Sequence, residues 1–177
     1  MAGNLFLVGM MGAGKSTVGR TLAKRLNREF FDTDRVLMER TGVPIATIFE
    51  YEGEAGFRAR ERMVIGELVG HENAVIATGG GAVLDEGSRA LMRESGTVIY
   101  LRAKLDDLWE RTRRDTSRPL LATPDPRATL AALLEVRDPL YCLCAHLVVD
   151  TGAQSVHSLV SRILDQLGED THAATGT

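Results

Sequence analysis

Cysteine is nearly absent: Cys142 and Cys144 are the only two in 177 residues, and they stand two apart with His146 close behind. A disulfide framework is therefore excluded. The same trio offers metal ligands at alternate positions, too few and too local for a closed zinc site, whereas small apolar cysteines packed near a helix end are ordinary. No apolar run reaches the roughly 20 residues needed to cross a bilayer. The N-terminus passes straight into a strand-like run with no signal peptide, so a cytoplasmic protein is expected. An excess of positive charge is also missing. With 21 Lys+Arg against 24 Asp+Glu the net charge is −3, which argues against a nucleic-acid binder driven by phosphate neutralisation. Internal repeats and interdomain linkers are lacking too. At 44% hydrophobic and 25% charged content, the chain suits one domain over residues 1–168, expected to act as a monomer on small molecules.

What is present is organised around Gly9-Met10-Met11-Gly12-Ala13-Gly14-Lys15-Ser16-Thr17. The apolar run Leu5-Phe6-Leu7-Val8 leads into it and an amphipathic pattern with Val18, Leu22 and Leu26 leads out, so a buried strand delivers the chain to a turn that opens a helix. Glycines let backbone N–H groups curl around an anion, and the helix adds its positive end. Such a cradle takes nucleotide phosphates. Lys15 is placed to reach the β- and γ-phosphates, and the Ser16 hydroxyl to ligate a bridging magnesium.

Further on, residues 29–31 read as a short strand that ends in Asp32-Thr33-Asp34, at the sheet edge where ligands collect. Asp34 could equally be the N-cap of the helix that follows. Gly42 stops that helix, Pro44 opens a short one through Phe49, and Gly53 breaks it before a longer helix. There Arg58 and Glu61 at i,i+3 could be a solvated pair, but Arg58 near a helix start gains nothing from the dipole, so another interaction should select it. A second buried strand, residues 74–77, runs into Gly79-Gly80-Gly81, either a permissive turn or bare backbone open to a ligand. A helix over residues 85–95, a strand over 97–101 and a helix over 104–113 follow. Residues 113–125 are arginine-rich, then proline-punctuated, as expected of a lid or of a plain solvated loop. Pro126 opens a helix that Pro139 should end or kink. A fifth strand, residues 147–149, precedes a last helix through Leu167 and a tail, 169–177, expected to fray. Unbroken apolar strands alternating with helices specify an α/β fold with a parallel sheet covered on both faces.

Read together, these motifs resemble those of the shikimate kinases, small P-loop enzymes that phosphorylate the 3-hydroxyl of shikimate with ATP in aromatic amino acid biosynthesis. Residues 9–17 look like the family's phosphate loop, Asp32-Thr33-Asp34 its acidic motif, Phe57-Arg58 with Glu61 its substrate helix, Gly79-Gly80-Gly81 its glycine turn, Arg118-Pro119-Leu120-Leu121 its lid, and Arg137-Asp138-Pro139-Leu140-Tyr141 its Arg-x-Pro-Leu-Tyr segment. The resemblance implies a P-loop three-layer sandwich, with a parallel sheet in the order 2-3-1-4-5, a lid, and a substrate-binding helical segment over about residues 33–62. It implies that Gly12, Ala13, Gly14, Lys15, Ser16 and Thr17 bind ATP, that Ser16 holds Mg2+ directly and Asp32 through water, and that Asp34, Arg58, Gly80 and Arg137 hold shikimate. Lys15, Asp34 and Arg118 would be catalytic, with Arg118 closing onto the phosphates, Arg111 stacking on adenine, and Gln154 standing near the nucleotide where the family often has a basic residue.

Two rival readings differ in their chemistry. A gluconate or nucleoside monophosphate kinase would share the cradle but not need the pairing of two arginines with Asp34, which suits a hydroxylated carboxylic acid. A GTP-driven switch would need a guanine reader, and Ala103-Lys104-Leu105-Asp106 has alanine where an asparagine must hydrogen-bond.

Overall fold

The structure, a computed structural model, describes residues 3–172. Strand β1 (Asn4–Val8) is buried at all five positions, which requires cover on both of its faces, and it lies at the centre of a five-stranded parallel sheet. Strands β2 (Phe30–Asp32), β3 (Val75–Ala77), β4 (Gly96–Arg102) and β5 (Leu147–Asp150) complete it in the order β2-β3-β1-β4-β5. Each strand is followed by at least one helix, as parallel pairing demands. The helices are α1 (Lys15–Leu26), α2 (Thr33–Thr41), α3 (Ile45–Leu68), α4 (Glu86–Ser95), α5 (Leu105–Thr112), α6 (Pro126–Cys144) and α7 (Val156–His172).

Register decides where the chemistry lies. Leu7 pairs with Ala77, and Ala77 with Asp32, so the loops that follow β1, β2 and β3 all leave the same carboxyl edge. The phosphate loop, the acidic motif and the glycine turn are thereby neighbours, although as many as 46 residues separate Thr33 from its hydrogen-bond partner Gly79. Beneath that edge the core of Phe6, Leu7, Val75, Ile76, Val98 and Ile99 excludes water and holds the strands rigid.

Several boundaries depart from expectation. Pro139 does not end its helix: α6 runs on to Cys144, because Tyr141 and Cys144 beyond it are fully buried and their packing outweighs one missing backbone bond. The break expected at Gly53 is present: with φ 69° and ψ −178° it is non-helical, and α3 is two helices joined at a kink there. The N-cap of α2 is Asp32, not Asp34; its Oδ1 accepts from the backbone N–H groups of Asp34 and Arg35. Helix α7 continues past Leu167 to His172, and the end of the tail, residues 173–177, lies outside the described residues. Cys144 is buried and Cys142 exposed, while His146 Nδ1 accepts from Val98 N, so the trio forms no shared site.

Candidate active site

The loop after β1 places Gly14 at the head of α1 with φ 93°, a left-handed conformation that a side chain would oppose, and the helix N-terminus then faces the cleft. A cavity of about 350 Å³ lies there, lined by Gly12, Gly14, Lys15, Ser16, Thr17, Asp32, Asp34 and the glycine turn. Lys15 Nζ donates to the carbonyls of Gly9 and Met10 at 2.6 and 2.8 Å. Burial lowers its pKa to about 8, against the opposing pull of Asp34. The Ser16 hydroxyl donates to Asp32 Oδ2, a close contact. Because Oδ1 of Asp32 already caps α2, only Oδ2 is turned toward Ser16, and a hydroxyl and a carboxylate oxygen thus stand together at the cradle. That pair of hard oxygen donors fits magnesium, which binds few protein ligands and leaves the rest to water and phosphate.

A second cavity, about 260 Å³, adjoins the first and shares Met11, Asp34, Gly79, Gly80 and Arg118 with it. Its polar groups are Asp34, Arg58, Glu61, Ser117, Arg118 and Arg137, set among Phe49, Phe57, Ile45 and Leu120. Arg58 is not part of a solvated pair. Its Nη1 donates to Glu61 Oε1 at 3.0 Å, and Glu61 is only 2% exposed. Arg137 is also 2% exposed, yet its guanidinium borders the cavity beside Gly80. A Cβ at Gly81 would come within 2.2 Å of Arg58 Nη2, so the bare turn is what admits that arginine.

Asp34 lies where the two cavities meet. Burial, and then Asp32, raise its pKa above the usual carboxylate value, while Lys15, Arg118 and Arg58 oppose the rise. Its Oδ1 is buried without a hydrogen-bond partner, as is Glu61 Oε2. Two orphaned carboxylate oxygens facing Gly79 are costly unless something else completes them, so they mark the place where a ligand's donors belong.

The remaining residues flank the cleft. Arg111 Nη1 donates to Gly12 O at 3.0 Å, and Arg111 lines a further cavity of about 260 Å³ together with Ala13, Gly14, Thr17, Thr151 and Gln154. Gln154 is tied to Asp150 O. Arg118, just before the short 3₁₀ turn Pro119–Leu121, has Nε 3.0 Å from Asp115 Oδ2, an ion pair by distance that falls short of a hydrogen bond. Its charge bears on both Lys15 and Asp34. Every expected site residue therefore borders one of three contiguous cavities.

Some contributors escaped the sequence reading wholly or in part. Glu61 is named as an i,i+3 partner of Arg58 and within the family's substrate helix, but neither signals its burial. Thr33, wholly buried, accepts from Gly79 N at 2.9 Å and so locks the acidic motif to the glycine turn. Its placement between two acids in the motif is the one available hint.

Comparisons with known proteins agree with this geometry. A family model described as shikimate kinase matches residues 11–168. A shikimate kinase of Burkholderia pseudomallei is 58% identical over 164 residues, which cover 93% of this chain and 89% of that one. Among solved structures, the shikimate kinase of Acinetobacter baumannii in complex with shikimate superimposes with a TM-score of 0.93 at 43% identity, covering 95% of this chain and 94% of that one. A gluconokinase from Sinorhizobium meliloti matches with a TM-score of 0.62 at 20% identity over 98% of each chain, a likeness of fold alone.

Proposed function

The chain belongs to the shikimate kinase family, ATP-dependent phosphotransferases with an alcohol acceptor, and from that premise we propose how its own residues move the γ-phosphate of ATP to the 3-hydroxyl of shikimate. One observation carries the reading: the arginine-lined cavity opens onto the phosphate cradle with Asp34 at the junction.

The acceptor's carboxylate is taken by Arg58 and Arg137, whose planar forks suit bidentate binding of that group. Its ring hydroxyls then face Asp34, which orients the reacting hydroxyl and accepts its proton. A carboxylate with a raised pKa is better matched to that task than an ordinary one. On the donor side, loop N–H groups and the α1 N-terminus hold the phosphates, and Lys15 exchanges its carbonyl partners for phosphate oxygens. Arg118 closes from the lid, neutralising charge that develops during transfer. Adenine lies along Arg111 and Gln154. Ser16 would hold Mg2+ directly and Asp32 through water, and the ion, when bound, screens the charge of the β- and γ-phosphates.

The division into residues 1–168 as one kinase domain, with a lid at about 113–125 and a substrate segment at about 33–62, belongs to the same proposal. Action as a monomer is part of the same proposal. ATP as donor supports a cytoplasmic location. No helix among the described residues is long and apolar enough to cross a membrane.

The test is ADP release against a panel of hydroxylated acids. Shikimate should support turnover that quinate and gluconate do not match. Equal turnover with gluconate would favour the sugar-acid kinase reading instead.

A further inference from the structure

The acceptor cavity has a support that does not line it. Tyr141 stands behind the wall, fully buried, and donates its hydroxyl hydrogen to Gly80 O at 2.5 Å across 61 residues of sequence. Arg137 lies one turn earlier on the same helix, α6. The contact is tight on the cavity side as well, where a Cβ at Gly80 would sit 3.3 Å from Arg137 Nη1. Burial pushes the Tyr141 phenol up to about 12, so it stays protonated, and able to donate, across the working range of pH.

The start of the glycine turn is anchored separately. Thr33 Oγ1 accepts from Gly79 N, and Thr78 donates its side-chain hydroxyl to Leu7 O. What those anchors leave unset is the spacing between Gly80 and Arg137, which come from β3's loop and from α6. Tyr141 itself cannot drift. Its ring packs 4.8 Å from that of Tyr100, a ring contact that does not involve the Tyr100 hydroxyl, which donates instead to Asp138 Oδ1 at 2.6 Å.

We propose that Tyr141 is a positioning residue for the acceptor: by bonding Gly80 O from α6, one turn beyond Arg137, it fixes the distance between the glycine turn and the arginine that receives the carboxylate. The inference rests on the shikimate reading above. It predicts an acceptor-side defect with no donor-side counterpart, because Tyr141 borders neither the phosphate cleft nor the Arg111 cavity.

The test is Tyr141→Phe in the full chain, with Tyr100→Phe as a matched loss of a buried hydroxyl that bonds elsewhere. Tyr141→Phe should raise KM for shikimate about tenfold, the order expected when a buried acceptor loses its partner, with kcat and KM for ATP changed less than about twofold. Preference for shikimate over its carboxamide should shrink by a similar factor. Combined with Arg137→Lys, the losses should be less than multiplicative, since both changes act on the same place beside Gly80. An unchanged KM for shikimate, equal losses on both substrates, or an equal effect of Tyr100→Phe would overturn the proposal. So would a Tyr141→Phe protein that fails to fold while Tyr100→Phe folds, because Tyr141 would then serve the core. A wild type inert toward shikimate would instead sink the functional reading, whereas an active wild type beside an unaltered Tyr141→Phe removes Tyr141 alone.

Discussion

Arg58 is held from below by Glu61, its Nη1 3.0 Å from an oxygen of a carboxylate that is itself 2% exposed. Burial raises the Glu61 pKa and Arg58 opposes the rise, so each charge makes the other tolerable in a dry site. Breaking that pair should unsettle the acceptor site and not the nucleotide site. We expect Arg58→Ala or Arg137→Ala to cost about 1.5–3 kcal/mol in kcat/KM for shikimate, or roughly 10- to 100-fold, with ATP affinity nearly unchanged. Arg→Lys should recover only part, since an ammonium cannot offer two parallel donors. Kinetics of both variants on shikimate and its carboxamide check this, and losses independent of the substrate would show that the arginines serve the fold.

Proton linkage at the two buried groups gives a bell with assigned limbs. Because the Lys15 pKa is lowered to about 8, the free protein loses that charge as pH rises through 8, and kcat/KM for ATP should fall there. Bound phosphates favour the charged form, so kcat should hold to higher pH. On the acid side the Asp34 pKa is raised, and activity that needs its carboxylate is lost as pH falls through that raised value. Asp34→Asn should lower the chemical step on the order of 10²–10⁴-fold and abolish the acid limb. Preserved single-turnover rates at saturating shikimate would make Asp34 a positioning group.

Ser16→Ala removes the hydroxyl that meets Asp32 Oδ2. The Mg2+ concentration for half-maximal activity should rise sharply, because few protein ligands hold this metal. A magnesium titration identical to wild type would reject the assignment.

For the lid, Arg118→Ala should reduce kcat more than it weakens ATP binding if its guanidinium, which now rests near Asp115, meets the phosphates mainly in the closed state. Proteolysis between residues 113 and 125 should slow when both ligands are present. Equal cleavage with and without them would remove the lid.

Much of the site was legible because it is local: the strand–loop–helix of residues 9–17 and the three successive glycines carry their meaning in consecutive residues. Sheet order came from the family resemblance and not from periodicity, which specifies only alternation. What stayed hidden depends on burial across long separations. By spacing alone Glu61 looks like any surface partner of Arg58; only the resemblance singled it out, and its burial against Gly79 is tertiary. Pro139 reads as a stop because its propensity is local, whereas the burial of Tyr141 and Cys144 that carries α6 past it is tertiary.

The most direct measurement follows the transferred phosphate itself. With ATP, Mg2+ and shikimate, phosphorus NMR of the product should show one phosphate ester, on the 3-hydroxyl, formed in step with ADP, and almost no ADP without acceptor. A phosphate on another hydroxyl, or ADP released at the same rate with shikimate omitted, would contradict the placement of Asp34 and the two arginines around that acceptor.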